Sequence, residues 1–202
     1  METRDRILAA ARALFLKHGA EGVGMRAVAA RVGLTPMALY RHFRSKEALH
    51  NVLIEQGHSV FLQYLQRALA EPSPGGRLAR SGFEYLNFAL EHRQDYRMMF
   101  MMASAPRASG AEGPSWRDVA TFRFLVDRIR EGAAAGLLKI DNPERTALCV
   151  WAHVHGLVSL YLTNKLELSE TQFRDLYARS VADLMLAFGW PREPAAQAAS
   201  GQ

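Results

Sequence analysis

The sequence predicts an all-α protein in two parts, a three-helix N-terminal unit and a larger helical body, about nine helices in all. Three observations predict it. Apolar residues recur at i, i+3, i+4, i+7 spacing through most of the 202 residues, and no segment alternates with the period of a strand. Helix starts are written out: Thr35-Pro36 and Asn142-Pro143 each put a capping side chain before a proline at the first helical position, and Ser169-x-x-Gln172 is a capping box. Charge is also segregated. Residues 1–50 hold nine Lys/Arg against four Asp/Glu, and the remaining 16 of each sign cancel, so the whole formal charge of +5 sits on that N-terminal segment.

Taken in order, Thr3 caps a first helix over 4–18, with Ile7, Leu8, Ala11, Leu14 and Phe15 as its stripe and His18-Gly19 closing it. A glycine-rich turn over 20–24 leads to a second helix, 25–32, with Val28 and Val32 inward and Arg26 and Arg31 outward. Gly33 supplies the left-handed residue that stops it. The third helix, 36–43, turns Leu39 and Phe43 inward with Leu34 beside them. Ser45 caps a fourth helix predicted to run past Gly57 to residue 71, roughly 39 Å. Pro72-Ser73-Pro74-Gly75-Gly76 reads as a loop. Five more helices follow. They span 77–93 (Leu78, Phe83, Leu86 and Leu90 on one side), 96–102 (capped by Asp95), 116–135 (capped by Ser115; Val119, Phe122, Leu125, Val126, Ile129), 143–165 and 170–188. A loop fills 103–114. The domains are 1–50 and 51–190, with a disordered tail over 191–202.

The third helix leaves Met37, Ala38, Tyr40, Arg41 and His42 facing out. Two turns of helix do not stand alone in water, so something packs behind them. The outer mixture of guanidinium, phenol, imidazole and small apolar groups suits a DNA major groove. Arg forks onto guanine, Tyr and His bond phosphates or base edges, and Ala and Met touch thymine methyls. A basic surplus confined to this unit is the electrostatic footprint of a DNA-binding head. Chance clustering on a solvated face predicts no such link between charge and motif.

Gly19, Val28-Ala29, Gly33, Leu39-Tyr40-x-x-Phe43 and Ser45-Lys46-Glu47-x-Leu49 follow one another within residues 6–53. This ordered set resembles the helix-turn-helix of the tetracycline-repressor (TetR) family of bacterial transcriptional regulators. Gly24 departs from it, standing where the family often has a capping Ser or Thr. The resemblance implies a homodimeric, ligand-responsive regulator, a repressor released from double-stranded operator DNA by a small, largely apolar effector. Carried onto matching positions, it implies phosphate contacts from Arg26, Thr35, Tyr40, His42 and Lys46. It implies base contacts from Met37, Ala38 and Arg41, with Tyr40 serving both and Pro36 opening the helix. Trp151-x-x-x-His155-Gly156 resembles a TetR C-terminal class with a Trp-His-Gly signature.

The last two helices are apolar over much of their circumference, and Ala152, Gly156 and Ser159 allow close helix approach. The economical arrangement is a four-helix seam across a two-fold axis, with Leu176 and Leu184 contributing. An effector pocket among Phe83, Phe88, Met98, Met99, Phe100, Trp116, Phe122, Trp151 and His155 is implied mainly by the resemblance; read alone, these residues are simply core.

Other chemistries find little footing. Cys149 and His153 share a helix face but lack further ligands at zinc spacing, and read as a buried thiol and a satisfied histidine. Paired carboxylates, a nucleophile triad, a phosphate loop and a dinucleotide fingerprint are not found in the sequence. Neither an enzyme, a cofactor nor a metal is expected. One cysteine precludes an intrachain disulfide, and no apolar run reaches the roughly 18 residues of a membrane span, which suits a cytoplasmic protein. The alternative is a helical small-molecule-binding or enzymatic protein whose basic head is incidental.

Overall fold

The computed structural model describes residues 2–19, 23–101 and 118–191. Part of the 20–24 turn, Met102, the 103–114 loop, Ser115, Trp116 and the tail beyond Pro191 lie outside the described residues. The elements are α1 (Thr3–His18), α2 (Met25–Val32), α3 (Pro36–His42), α4 (Lys46–Gln66), α5 (Pro74–Glu91), α6 (Arg93–Phe100), α7 (Ala120–Ala134), α8 (Pro143–Leu162) and α9 (Glu170–Ala187). A 3-10 turn, Arg67–Ala70, follows α4. Among the described residues no strand occurs, and no helix is long and apolar enough to cross a membrane.

The chain divides into two compact units, Met1–Phe61 with Leu90–Gly113, and Leu62–Ala89 with Pro114–Gln202. In the first, the core joins Ile7, Leu8, Ala11 and Phe15 of α1, Val28 and Ala29 of α2, Leu39 and Phe43, Leu49 and Leu53 of α4, and Met98 of α6. Fully burying side chains of this size stabilises by roughly 1.5–3 kcal/mol each. α6 is fastened there by polar contacts as well. Asp95, nearly buried, forms an ion pair with Arg12 of α1 and lies 3.4 Å from His92 Nδ1. Phe100 meets the rings of His58, Phe61 and Tyr96. Gly57 permits the close seat of Met99, because a Cβ there would lie 2.5 Å from its sulfur.

In the second unit, Leu78, Phe122, Val126, Ile129, Leu138, Ala147, Val150 and Met185 form the core. Tyr161 stacks on Phe173 at 4.0 Å, and the Tyr177 hydroxyl donates to the Gly82 carbonyl at 3.0 Å. The carboxylate of Glu84 is buried and compensated by Arg80, 2.6 Å away, and Arg67 at 3.4 Å. A buried carboxylate persists only when so compensated.

Several boundaries differ from the sequence reading. α1 includes Thr3 and starts from Glu2, which makes no side-chain cap. α4 gives way to the 3-10 turn after Gln66, so its α-helical part is about 31 Å long. The stretch taken as a loop at 72–76 opens α5 instead. Ser73 Oγ accepts from Gly76 N–H at 3.0 Å with Pro74 as the first helical residue, the device already present at Thr35-Pro36. Two glycines after that proline masked it. Starting there, α5 buries Leu78, Ser81, Tyr85 and Phe88 and leaves Phe83, expected inward, 50% exposed. Asp95 is not a cap but a first-turn residue of α6. α8 ends at Leu162, where Asn164 adopts φ 55 and Lys165 N–H returns to Leu160 O. Asn is the non-glycine residue most at ease there.

Candidate nucleic-acid interface

The interface begins with two closures. Gly33, at φ 72, ends α2; its N–H reaches Ala30 O at 3.2 Å and Leu34 N–H reaches Ala29 O at 2.9 Å. Two residues later Thr35 Oγ1 accepts from Ala38 N–H at 3.2 Å and opens α3. The turn is short because both helix ends are satisfied inside it. Leu39 is fully buried and Phe43, 4% exposed, ends the helix in extended backbone. These two anchors fix which side of α3 faces out. Met37 is 69% exposed and Tyr40 47%, and Arg41 and His42 are exposed beside them. Among the described residues, no side-chain hydrogen bond or ion pair engages Tyr40, Arg41 or His42. Ala38 is half-buried.

The flanks agree in charge and geometry. Ser45 Oγ accepts from Ala48 N–H at 3.1 Å, so α4 starts capped with Lys46 in its first turn. Arg26 lies exposed in the first turn of α2. Gly24 takes the N-cap position of α2 without a side-chain bond. Behind Lys46, His50 is buried against Phe15, and burial first, then Lys46, pulls its pKa below the usual 6.5.

A two-turn helix so presented, joined to α2 by a short turn within the segment that holds the chain's basic surplus, is a helix-turn-helix. A family model described as bacterial regulatory proteins, tetR family, matches residues 7–53. A second, described as tetracyclin repressor-like, C-terminal domain, matches residues 78–184, more than half of the chain. The chain belongs to the tetR family. Its members are DNA-binding transcriptional regulators and not enzymes. The HTH-type transcriptional regulator UidR of Escherichia coli K12 is 42% identical over 76 residues, covering 36% of this chain and 35% of the relative. The HTH-type transcriptional activator FasR of Mycolicibacterium smegmatis is 29% identical over 100 residues, 49% of this chain and 46% of its own. The chain thus aligns with less than half the length of these curated relatives. Among solved structures, a Rhodococcus sp. RHA1 protein of unknown function superposes with a TM-score of 0.74 at 25% identity, covering 94% of this chain and 96% of that one. A tetR-family regulatory protein, also from Rhodococcus RHA1, has a TM-score of 0.69 at 22% identity over 95% and 100%.

The remaining expected sites of this tetR-family protein fall as follows. Met98, Met99 and Phe100 belong to the first unit, where Met98 is core. Phe88, Phe122, Trp151 and His155 belong to the second, with Phe83 exposed and Trp116 outside the described residues. Trp151 and His155 are ring neighbours at 5.8 Å, and Phe122 meets Trp151 at 6.1 Å. His155 Nδ1 lies 3.4 Å from Tyr85 Oη and its Nε2 3.4 Å from Ser159 Oγ. Burial lowers the His155 pKa, so the ring is neutral at neutral pH. A stripe through Phe83 leaves Tyr85 out; the spacing of positions 78, 81, 85 and 88, all buried, is the signal that finds it.

On α8 and α9, Leu148, Leu160 and Leu176 are 38%, 45% and 39% exposed, Ala152 is exposed, and Gly156, Ser159 and Leu184 are half-buried. Cys149, read as a buried thiol, is exposed on that helix, while His153 Nε2 pairs with Ser180 Oγ at 2.9 Å. Among the described residues no group of three His, Cys, Asp or Glu could hold a metal ion.

Proposed function

We propose that this protein is a homodimeric, ligand-responsive repressor whose α3 reads operator DNA in the major groove. The observation that carries the reading is the outer face of α3: Met37, Tyr40, Arg41 and His42 exposed on a helix anchored by buried Leu39, in the segment that holds the whole charge surplus. Residues 1–50 serve as the reading head and 51–190 as the ligand-binding and dimerisation part. Arg26, Thr35, Tyr40, His42 and Lys46 meet phosphates; Met37, Ala38 and Arg41 meet base edges. Exposed leucines with Ala152 and Gly156 on α8 and α9 support a two-fold seam there. The neutral His155, between Tyr85, Ser159 and Trp151, supports an apolar effector with one polar group. Such a ligand would tilt α4, which runs from one unit into the other, and depopulate the DNA-competent state.

Activation is the second reading, favoured by the name of FasR, an activator similar over 49% of this chain. A gel shift and footprint on the DNA upstream of the protein's own gene, repeated with candidate apolar ligands, tests binding and release. A reporter on the same DNA separates the two signs. Absence of any protected site on that DNA, against a positive shift on random DNA, would remove the operator reading.

A further inference from the structure

The first turn of α1 reaches the turn-and-helix segment at two points, the last residue of α2 and the residue that closes α3. Arg6 Nη2 donates to the carbonyl of Val32 at 2.9 Å, across 26 residues of chain. Val32 is the last residue of α2, and the Ala29 and Ala30 carbonyls before it are already taken by the turn. Arg6 therefore supplies from another helix a donor that α2 itself cannot offer to its last turn. Two residues away, the guanidinium of Arg4 lies over the ring of Phe43, 5.3 Å from its centroid. Phe43 closes α3, its N–H bonded to Leu39 O at 3.0 Å. One arginine thus marks the entrance of the turn-and-helix segment and the other its exit.

That placement has a mechanical meaning. α3 has seven residues, and Leu39 is the only one of them that is buried. Rooted in the core by Leu39 and, at its end, by Phe43, so short a helix depends on how its entry and its closing residue are held, and base readout fails when side chains are misplaced by about an ångström. The contacts at Val32 and Phe43 restrain the entry to the turn before α3 and the residue that closes the helix. Resting on the reading of α3 as the DNA-reading helix, we propose that Arg4 and Arg6 are positioning residues that set operator selectivity by bracing α3, and are not phosphate contacts. Their charge would count them among the nonspecific basic residues; their partners, a carbonyl and a ring face, assign them to the protein's own frame.

The two roles differ in what they move. A lost phosphate contact weakens binding to every sequence and lowers the salt slope by about two per dimer. A lost brace loosens the whole reading helix, so discrimination falls at every position of a half-site together, with the salt slope intact. The experiment is binding-site selection, then titration of the selected duplex and a random duplex from low to high salt, with wild type, Arg6→Ala, Arg4→Ala and the double variant. Arg6→Ala is expected to lose about tenfold on the selected duplex and Arg4→Ala about threefold. Binding to the random duplex should hold, and the double variant should select a consensus flattened across the half-site. Equal losses on both duplexes with a reduced slope would overturn the proposal in favour of phosphate contact. Unchanged binding to both would overturn it as well. Arg6→Gln and Arg4→Gln, which remove the contacts one at a time while keeping the helix start polar, carry the same comparison if the double variant melts early. Arg41→Ala run alongside separates the failures. An unaltered consensus there removes base reading by Arg41, whereas the bracing stands or falls on the arginine pair.

Discussion

At the scale of residues, Arg41 and Lys46 separate two ways of touching DNA. Arg41 is exposed on α3 between buried Leu39 and Phe43, which hold it on one side of the helix, and it carries the planar fork that matches guanine. Arg41→Ala is expected to cost about 1–3 kcal/mol on the cognate site and to relax one base pair per half-site. Lys46→Ala is expected to weaken all sequences alike and to lower the salt slope by about two per dimer. Selection and salt titration on the two variants check both, and an unaltered Arg41→Ala consensus reduces that residue to a phosphate contact. The histidines set a second expectation. Burial depresses the pKa of His50, His58 and His155 below 6.5. A depressed pKa means that the unfolded chain binds protons more readily than the folded one. The stability from keeping these rings neutral is therefore complete above pH 6.5 and is lost as pH falls through the lowered folded values. Melting temperature should drop on acidification below about pH 6.5, and His→Gln at positions 50, 58 and 155 should flatten that slope.

At the scale of elements, α6 has the most to explain. Its apolar residues place Met98 among the core side chains of the head, and its Asp95 pairs with Arg12 of α1. Arg12 is 30% exposed and Asp95 10%, so removing the cation leaves a mostly buried carboxylate with the His92 ring 3.4 Å away. Arg12→Ala is expected to destabilise by about 1–3 kcal/mol, less than a fully buried pair because solvent screens the arginine. Urea unfolding of the full chain measures it. A change below a few tenths of a kcal/mol would mean that water replaces the guanidinium. The elements also show where sequence signals hold. Caps followed by proline at Thr35 and Asn142, and the capping box at Ser169, are local hydrogen-bond patterns and appear as read. The same device at Ser73 was hidden by Gly75 and Gly76, whose low helix propensity is overridden once α5 packs.

At the scale of the whole molecule, the proposed seam is open to a clean test. A Cβ on Gly156 meets nothing within 4 Å, so the first atom of a side chain there finds open space in the subunit. Gly156→Arg is expected to give folded monomers with much weaker operator affinity, since one α3 neutralises half the phosphates. Analytical ultracentrifugation with circular dichroism checks both halves of that statement; a stable dimer would move the seam elsewhere. If a dimer makes about 6–10 phosphate contacts, wild-type affinity should fall by roughly 10³–10⁵ between 50 and 200 mM salt, and the monomer should show a shallower slope.

The sequence by itself determined what is periodic or local: the all-α class, the order of the helices, Gly33 as the stop of α2, Thr35 as the cap of α3, and which side of α3 faces out. These depend on spacings of three or four residues and on hydrogen bonds within one turn, so neighbouring letters specify them. It also located the charge surplus, which is a count. Tertiary structure alone decided which distant side chains meet. Met98 looked equally fit for a pocket or a core, Asp95 looked like a cap, Phe83 looked inward, and Arg6 was one basic residue among nine. Each was settled by a partner dozens of positions away or by the rotation of a helix against its neighbours. An amphipathic pattern says that a face will be covered, because burying apolar surface is non-directional; it does not say by what.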